Sequence, residues 1–302
     1  MSALPPTFSH LLGSWRIDPG FMVLLTTAAA LYGWGALRLS GRWPVWRASS
    51  FLCGLLTLGV AFMSGVDRLA DELLSVHMVQ HLLLALLAPA LLVCGAPVRL
   101  ALAAGSHSTR SVLGTLLSSG LVRSLTRPAV GFALFATVML VTHLTGLFEL
   151  ALEDQTVHAF EHAAYFWSGV LLLAPLIAAD PLPHAPGAVA RFCWLVGAMT
   201  TMAVPGALLT FSEEVRYPFY LAPARALGRS ALADQHLAGA IMWVGGGVAM
   251  FALALCVTMG AMLAEEHRER RRELYIDERD AFAKASDAGA QQDAGRIGAL
   301  GA

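Results

Sequence analysis

Long apolar runs, each closed by polar or charged punctuation, set the pattern of this chain. Seven of them, near residues 20–38, 47–66, 77–98, 129–150, 158–178, 190–211 and 236–262, are long enough to span a bilayer, since roughly 20 helical residues cross about 30 Å of hydrocarbon. A segment in lipid must satisfy its own backbone, and these runs are too long for barrel strands. The pattern predicts an all-α, polytopic membrane protein with seven transmembrane helices. Pro89, Pro175 and Pro205 lie inside runs, where neighbouring helices can re-satisfy the freed carbonyls. Residues 1–19 read as an N-terminal tail, 20–262 as the membrane domain and 263–302 as a polar tail. After Tyr275 the tail turns Ala-, Gly-, Gln- and Asp-rich, a composition that predicts disorder. The first residues lack a basic n-region and a small-residue cleavage site, so no removable signal peptide is expected.

Charge orients the spans. Arg38, Arg42 and Arg47 fill the first connection, Arg99, Arg110, Arg123 and Arg127 the third, and the tail opens with His267-Arg268-Glu269-Arg270-Arg271-Arg272. The second and fourth connections are acidic, with Asp67, Asp71 and Glu72, then Glu149, Glu153 and Asp154. Positive charge stays cytoplasmic, so the N-terminus is expected outside and the C-terminus in the cytoplasm. The third connection is long, and its mildly amphipathic part from Ser111 to Leu125 is expected on the interface. The 302 residues are 57% hydrophobic and 14% charged, with net charge −1. A soluble domain carries about 25% charged residues, and a nucleic-acid binder needs a basic patch.

That topology sorts the histidines by side. His77 and His81 head the third span, His158 and His162 the fifth, and His236 the seventh, while His143 lies in the outer half of the fourth. Six of ten histidines thus share one layer, and each i,i+4 pair shares one helix face. If spans three, four and five face one another there, His77 or His81 should approach His143 and His158 or His162. Ionisable groups within a membrane point to a site or pathway. Imidazole suits zinc, copper, iron and nickel, and methionine sulfur adds a bias toward Cu(I). Met78 and Met139 are candidate soft ligands; Gln80, Glu161 and Asp234 are candidates to orient the rings. Two other readings fit the same residues: bis-histidine haem b between spans three and five, or a metal-free polar network in a structural scaffold. No CxxCH is present, so covalent haem is excluded.

The remaining features are structural. Cys53, Cys94, Cys193 and Cys256 fall within apolar runs without CxxC pairing and read as packing residues. Trp43, Trp46 and Tyr217 flank spans as expected interface anchors, whereas Trp167, Trp194 and Trp243 are expected in the bundle. Gly245-Gly246-Gly247 lacks the Lys-Ser/Thr of a phosphate loop and is expected to let another helix approach. No serine sits with a histidine in an elbow-like context, so no catalytic residue is assigned.

The blocks HMVQHLLLALLAPALLVCGAPVRL (77–100), THLTGLFELAL (142–152), HAFEHAAYFWSGVLLLAPLI (158–177) and LADQHLAGAIMW (232–243) together resemble the CtaG family of bacterial cytochrome c oxidase assembly proteins, the seven-helix membrane family. The resemblance covers about residues 20–262. It implies a multi-pass protein of the bacterial inner membrane that helps assemble haem-copper oxidase, acts in copper delivery and catalyses no turnover. Its implied partners are oxidase subunits or other assembly factors, with the lipid bilayer around it. His77, His81, His143, His158 and His162 match the motif positions. Thr142 stands where the family often has Trp, and Asp234-Gln235-His236 where it often has DQQ, so His236 is not carried over as a family ligand.

Overall fold

The computed structural model describes residues 15–39 and 41–300; most of the expected N-terminal tail, residues 1–14, lies outside them. Every element among the described residues is helical. The first span, α1 (Pro19–Arg38), starts where Asp18 accepts the Phe21 N–H at 2.8 Å and proline occupies the first helical position, the combination that favours a helix start. The second, α2 (Val45–Met63), is followed by the short α3 (Gly65–Ala70), which Ser64 caps.

The third span is compound. It begins as α4 (Leu74–Leu82), widens into a π-helical turn at Leu83–Leu87, and continues as α5 (Ala88–Cys94). A proline disfavours the helical region for the residue before it; Ala96, before Pro97, takes φ +50° and breaks the chain into α6 (Pro97–Ala104). The long connection then forms α7 (His107–Ser118) and α8 (Gly120–Leu125), neither with a buried residue.

The fourth span differs from the continuous run expected over 129–150. Its helix α9 (Pro128–Leu144) has 17 residues, and the chain turns by 74° into α10 (Leu147–Glu153). Seventeen residues reach about 25 Å, short of the hydrocarbon thickness. Thr145 is extended, and its hydroxyl accepts the Leu147 N–H, starting a new helix. The fifth and sixth spans, α11 (Gln155–Ile177) and α12 (Ala188–Thr210), are unbroken and carry Pro175 and Pro205. A single-turn 3-10 helix, Pro218–Tyr220, leads into α13 (Leu221–Ala226).

The seventh span repeats the design of the third: α14 (Ala231–Ala240), a π-helical turn at Ile241–Gly245, and α15 (Gly246–Leu300). α15 runs straight through the stretch whose composition predicts disorder. Ala is the strongest helix former and the commonest residue of this stretch. Among the described residues six helices are long and apolar enough to cross a membrane, and the bent α9–α10 pair makes seven. This is an all-α, multi-pass membrane protein.

One core runs through α4, α5, α9, α11, α12, α14 and α15, with Leu84, Phe135, Tyr165, Leu172, Leu195 and Met250 fully buried. A smaller core joins α1, α2 and α6 around Tyr32, Phe51, Leu55 and Leu100. Glycines set two close crossings. A Cβ on Gly169 of α11 would lie 2.2 Å from the Ala85 carbonyl oxygen, in the π turn, and one on Gly239 would lie 2.5 Å from the Gly206 carbonyl oxygen. The expected approach at Gly245–Gly247 is confined to Gly246, which meets the Met202 and Leu82 side chains. Trp167 is 60% exposed, on the lipid-facing side rather than in the bundle. Cys53, Cys193 and Cys256 are exposed as well, since small apolar residues suit a lipid-facing surface as well as a core.

Candidate metal centre

Three helices carry the ionisable side chains of the polar cluster at one end of the bundle. α4 carries His77 and His81, α9 carries His143, and α11 carries His158, Glu161 and His162. α4 has no side-chain cap of its own. Asp234, from α14, supplies one: it accepts both the N–H and the hydroxyl of Ser75, placing a carboxylate at a helix N-terminus. Gln80 donates its amide to the Ala61 carbonyl oxygen at 2.7 Å and to Asp67 Oδ1 at 3.0 Å, tying α4 to α2 and α3. These two residues hold the helix rather than the rings.

The rings meet. His77 Nε2 lies 2.8 Å from His81 Nε2. Ring centroids are 5.3 Å apart for His77 and His158, 5.6 Å for His81 and His162, and 6.1 Å for His81 and His143. His77, His81, His143, Glu161 and His162 are buried and His158 is half-buried. Asp71 lies near His158 at the rim, where burial pushes its carboxyl up and the imidazole charge opposes that push. His77 and His158 stack at 24°, and contacts this close leave no porphyrin-sized slot between the facing imidazoles.

Hydrogen bonds decide which nitrogens carry lone pairs. Burial pushes the Tyr220 phenol well above its ordinary value, so it remains a hydroxyl. It donates to the Ala70 carbonyl oxygen at 3.0 Å. Having one proton, it accepts from His77 Nδ1, 3.0 Å away, which leaves His77 Nε2 bare. His143 Nδ1 lies 3.0 Å from the Met139 carbonyl oxygen, which only accepts, so His143 Nε2 is bare too. The Tyr165 and Thr142 hydroxyls bond to each other and flank the same Nδ1. Nε2 of His143, His158 and His162 and both Glu161 oxygens are buried without a hydrogen-bond partner. Buried polar atoms are normally paired, so this concentration of open donor atoms needs a cause.

The donor set suits a metal ion. One atom each from His77, His158 and His162 lie within 4.8 Å of one another, as do atoms of His77, His81 and Glu161. Ligands about 2.0 Å from a tetrahedral ion are roughly 3.3 Å apart, so the side chains would draw in by about an ångström. Net uncharged imidazoles with one carboxylate fit copper or zinc.

Other expected residues lie elsewhere. Met78 and Met139 are buried in the apolar core, and it is the Met139 carbonyl that touches the site. His236 turns away, Nε2 2.8 Å from the Ser212 carbonyl oxygen. Tyr217, expected as an interface anchor, is 5% exposed and donates to the His143 carbonyl oxygen at 3.2 Å. Phe148, wholly buried on α10, roofs the cluster against His77, His81, His143 and Tyr217. Sequence reasoning missed Tyr165, Phe148 and Tyr220. Tyr165 could have been found, because it follows His158 and His162 along one helix face. Phe148 and Tyr220 come from bends that no periodicity marks.

The mycobacterial proteins this chain resembles carry no functional name. It is 31% identical over 297 residues to uncharacterized proteins of Mycobacterium bovis and Mycobacterium tuberculosis, and 29% identical over 294 residues to one of Mycobacterium leprae. Each alignment covers 94% of this chain and 44% of the relative, so the chain spans less than half their length. No solved structure matches it. The family described as cytochrome c oxidase caa3 assembly factor (Caa3_CtaG) matches residues 30–263, which takes in every residue of the cluster: the chain belongs to this family of oxidase assembly factors.

Proposed function

We propose that the chain holds copper in the histidine cluster on the extracytoplasmic side and passes it to a cytochrome c oxidase subunit, or to another assembly factor, during maturation. The observation that carries this is the convergence of five imidazoles and one carboxylate, with open, buried donor atoms on four of the imidazoles and on Glu161. The arginine-rich connections stand at the opposite end of the spans, and positive charge favours the cytoplasm, so the cluster opens outward. Copper is cargo here, and the chain's own chemistry is binding and release: Tyr220 and Met139 fix two ring tautomers, Glu161 supplies negative charge, and Phe148 excludes water. No bond of a substrate is made or broken.

The test is metal analysis of the full chain purified from membranes, against a His77→Ala/His81→Ala double variant. Wild type should retain about one equivalent of copper per site and the variant next to none, since both proposed triads lose ligands. Equal copper in both, with helicity preserved, overturns the reading. A visible absorption spectrum separates the haem alternative, because a Soret band would mark haem.

A further inference from the structure

The donor atoms form two overlapping triads. His77, His158 and His162 make a rim triad; His77, His81 and Glu161 make an inner one. The rim triad contains the half-buried His158. The inner triad is enclosed, with His77 at 0%, His81 at 4% and Glu161 at 5% exposure. His77 belongs to both, and it is also the tethered ring, held through Tyr220 to the Ala70 carbonyl.

Resting on the copper reading above, we infer that the triads are successive positions for a single Cu(I) ion, which arrives at His158 and moves inward past His77 to Glu161. One ion at a time is required. Two unit charges about 4 Å apart repel by roughly 4 kcal/mol even at an effective dielectric of 20, and the triads compete for His77. Charge sets the direction. At the rim three neutral imidazoles leave the complex at +1, tolerable where His158 reaches water. Inside, the Glu161 carboxylate makes the complex neutral, as a water-free site demands. In the transfer the ion loses its bonds to His158 and His162, gains bonds to a His81 nitrogen and a Glu161 oxygen, and keeps His77. No electron moves, and a proton carried by Glu161 passes to an imidazole that the ion vacates.

Stopped-flow mixing of the detergent-purified full chain with Cu(I) held by a chromophoric chelator tests this. Wild type should take up the ion in a fast step that depends on copper concentration and a slower one that does not. Glu161→Gln should keep the fast step, lose the slow one and bind at least roughly tenfold more weakly, the scale of losing a supporting contact at a metal. His158→Ala should slow the fast step by about tenfold or more on the same scale, with its final affinity far less affected. A single wild-type step, with both variants weakened alike, overturns the two-position inference while leaving the copper site standing. A folded wild type that takes up no Cu(I) overturns the copper reading itself. Freeze-quenched X-ray absorption on wild type needs no variant: three imidazoles early, then two imidazoles and an oxygen late, support the transfer. An unchanging ligand shell overturns it.

Discussion

Each end of the bundle carries a buried polar cluster, and the two are built alike up to one difference. At both, an aspartate from a distant element caps a helix that lacks its own cap. Asp234 accepts from Ser75 of α4 at the histidine end; Asp180 accepts the Arg99 N–H of α6 at 2.7 Å at the arginine end. Burial pushes the Asp180 carboxyl up, against the backbone N–H groups of Arg99 and Val98. At both ends a buried tyrosine hydroxyl bridges two elements: Tyr220 between His77 and Ala70, Tyr32 between Trp43 Nε1 and the Gly95 carbonyl oxygen. The difference is satisfaction. At the arginine end Arg47 Nη1 and, in the Asp180 loop, His184 Nδ1 are left open, and the Arg47 guanidinium lies over Trp43 and Trp46. At the histidine end the open atoms belong to five clustered residues, His81, His143, His158, Glu161 and His162. Buried polar groups that close on one another rigidify a fold. Open lone pairs converging on a point are instead suited to a ligand, and a polar census blind to pairing would score the two ends alike.

The largest expected effect comes from the crossing that holds the histidine end together. Gly169→Val places a branched side chain where even a Cβ meets the Ala85 carbonyl oxygen at 2.2 Å. Backbone must move, so the cost should reach or exceed the roughly 1–3 kcal/mol of ordinary overpacking. The melting temperature in detergent should fall sharply, or folded protein should be lost. At the arginine end the crowding at Gly95 is against the Phe51 side chain, 2.7 Å away. Gly95→Ala should be milder, and a larger loss there than at Gly169 would break the comparison.

A pair of hydroxyl deletions tests satisfaction directly. Tyr32→Phe strands Trp43 Nε1 and the Gly95 carbonyl, and Tyr220→Phe removes the hydroxyl shared by His77 Nδ1 and the Ala70 carbonyl. Each should cost about 1–3 kcal/mol of stability, the penalty for unpaired buried groups. Only Tyr220→Phe should weaken copper binding, by roughly 10–100-fold, because it alone releases a ring from its tautomer. Equal copper affinity in both variants would make the histidine end as purely structural as the arginine end.

How much of this could be read from the chain follows the same division. Spans and the five converging histidines were legible because apolar runs and i,i+4 pairs leave a period in the sequence. The 74° break after Leu144 was not, since Thr145 and Gly146 lie inside an apolar run and tertiary packing decides there. Nor were the two π turns, which insert one extra residue without changing composition. Tyr217 shows the limit of position as a guide: it flanks a span, where aromatic residues often anchor, yet the loop folds it back beneath Phe148. Asp234 was a candidate to orient the rings, whereas its carboxylate caps the N-terminus of the neighbouring helix.

The smallest expected effect is also the sharpest contrast within one end. α4 and α14 lie side by side, and each starts polar and passes into a π turn, so His81 and His236 look equivalent along the sequence. Their surroundings differ. His81 is 4% exposed with Nδ1 open and Nε2 against His77, whereas His236 is half-buried and bonded to the Ser212 carbonyl oxygen. Glutamine can still donate to that carbonyl, so His236→Gln should cost less than about 1 kcal/mol, the net worth of one hydrogen bond. Its copper content should match wild type. His81→Gln swaps an imidazole for an amide within the inner triad, and copper retention should fall while stability changes little. Copper loss from His236→Gln equal to that from His81→Gln would mean that the seventh span turns its histidine inward when the ion binds, and the boundary between ligand and staple would have to be redrawn.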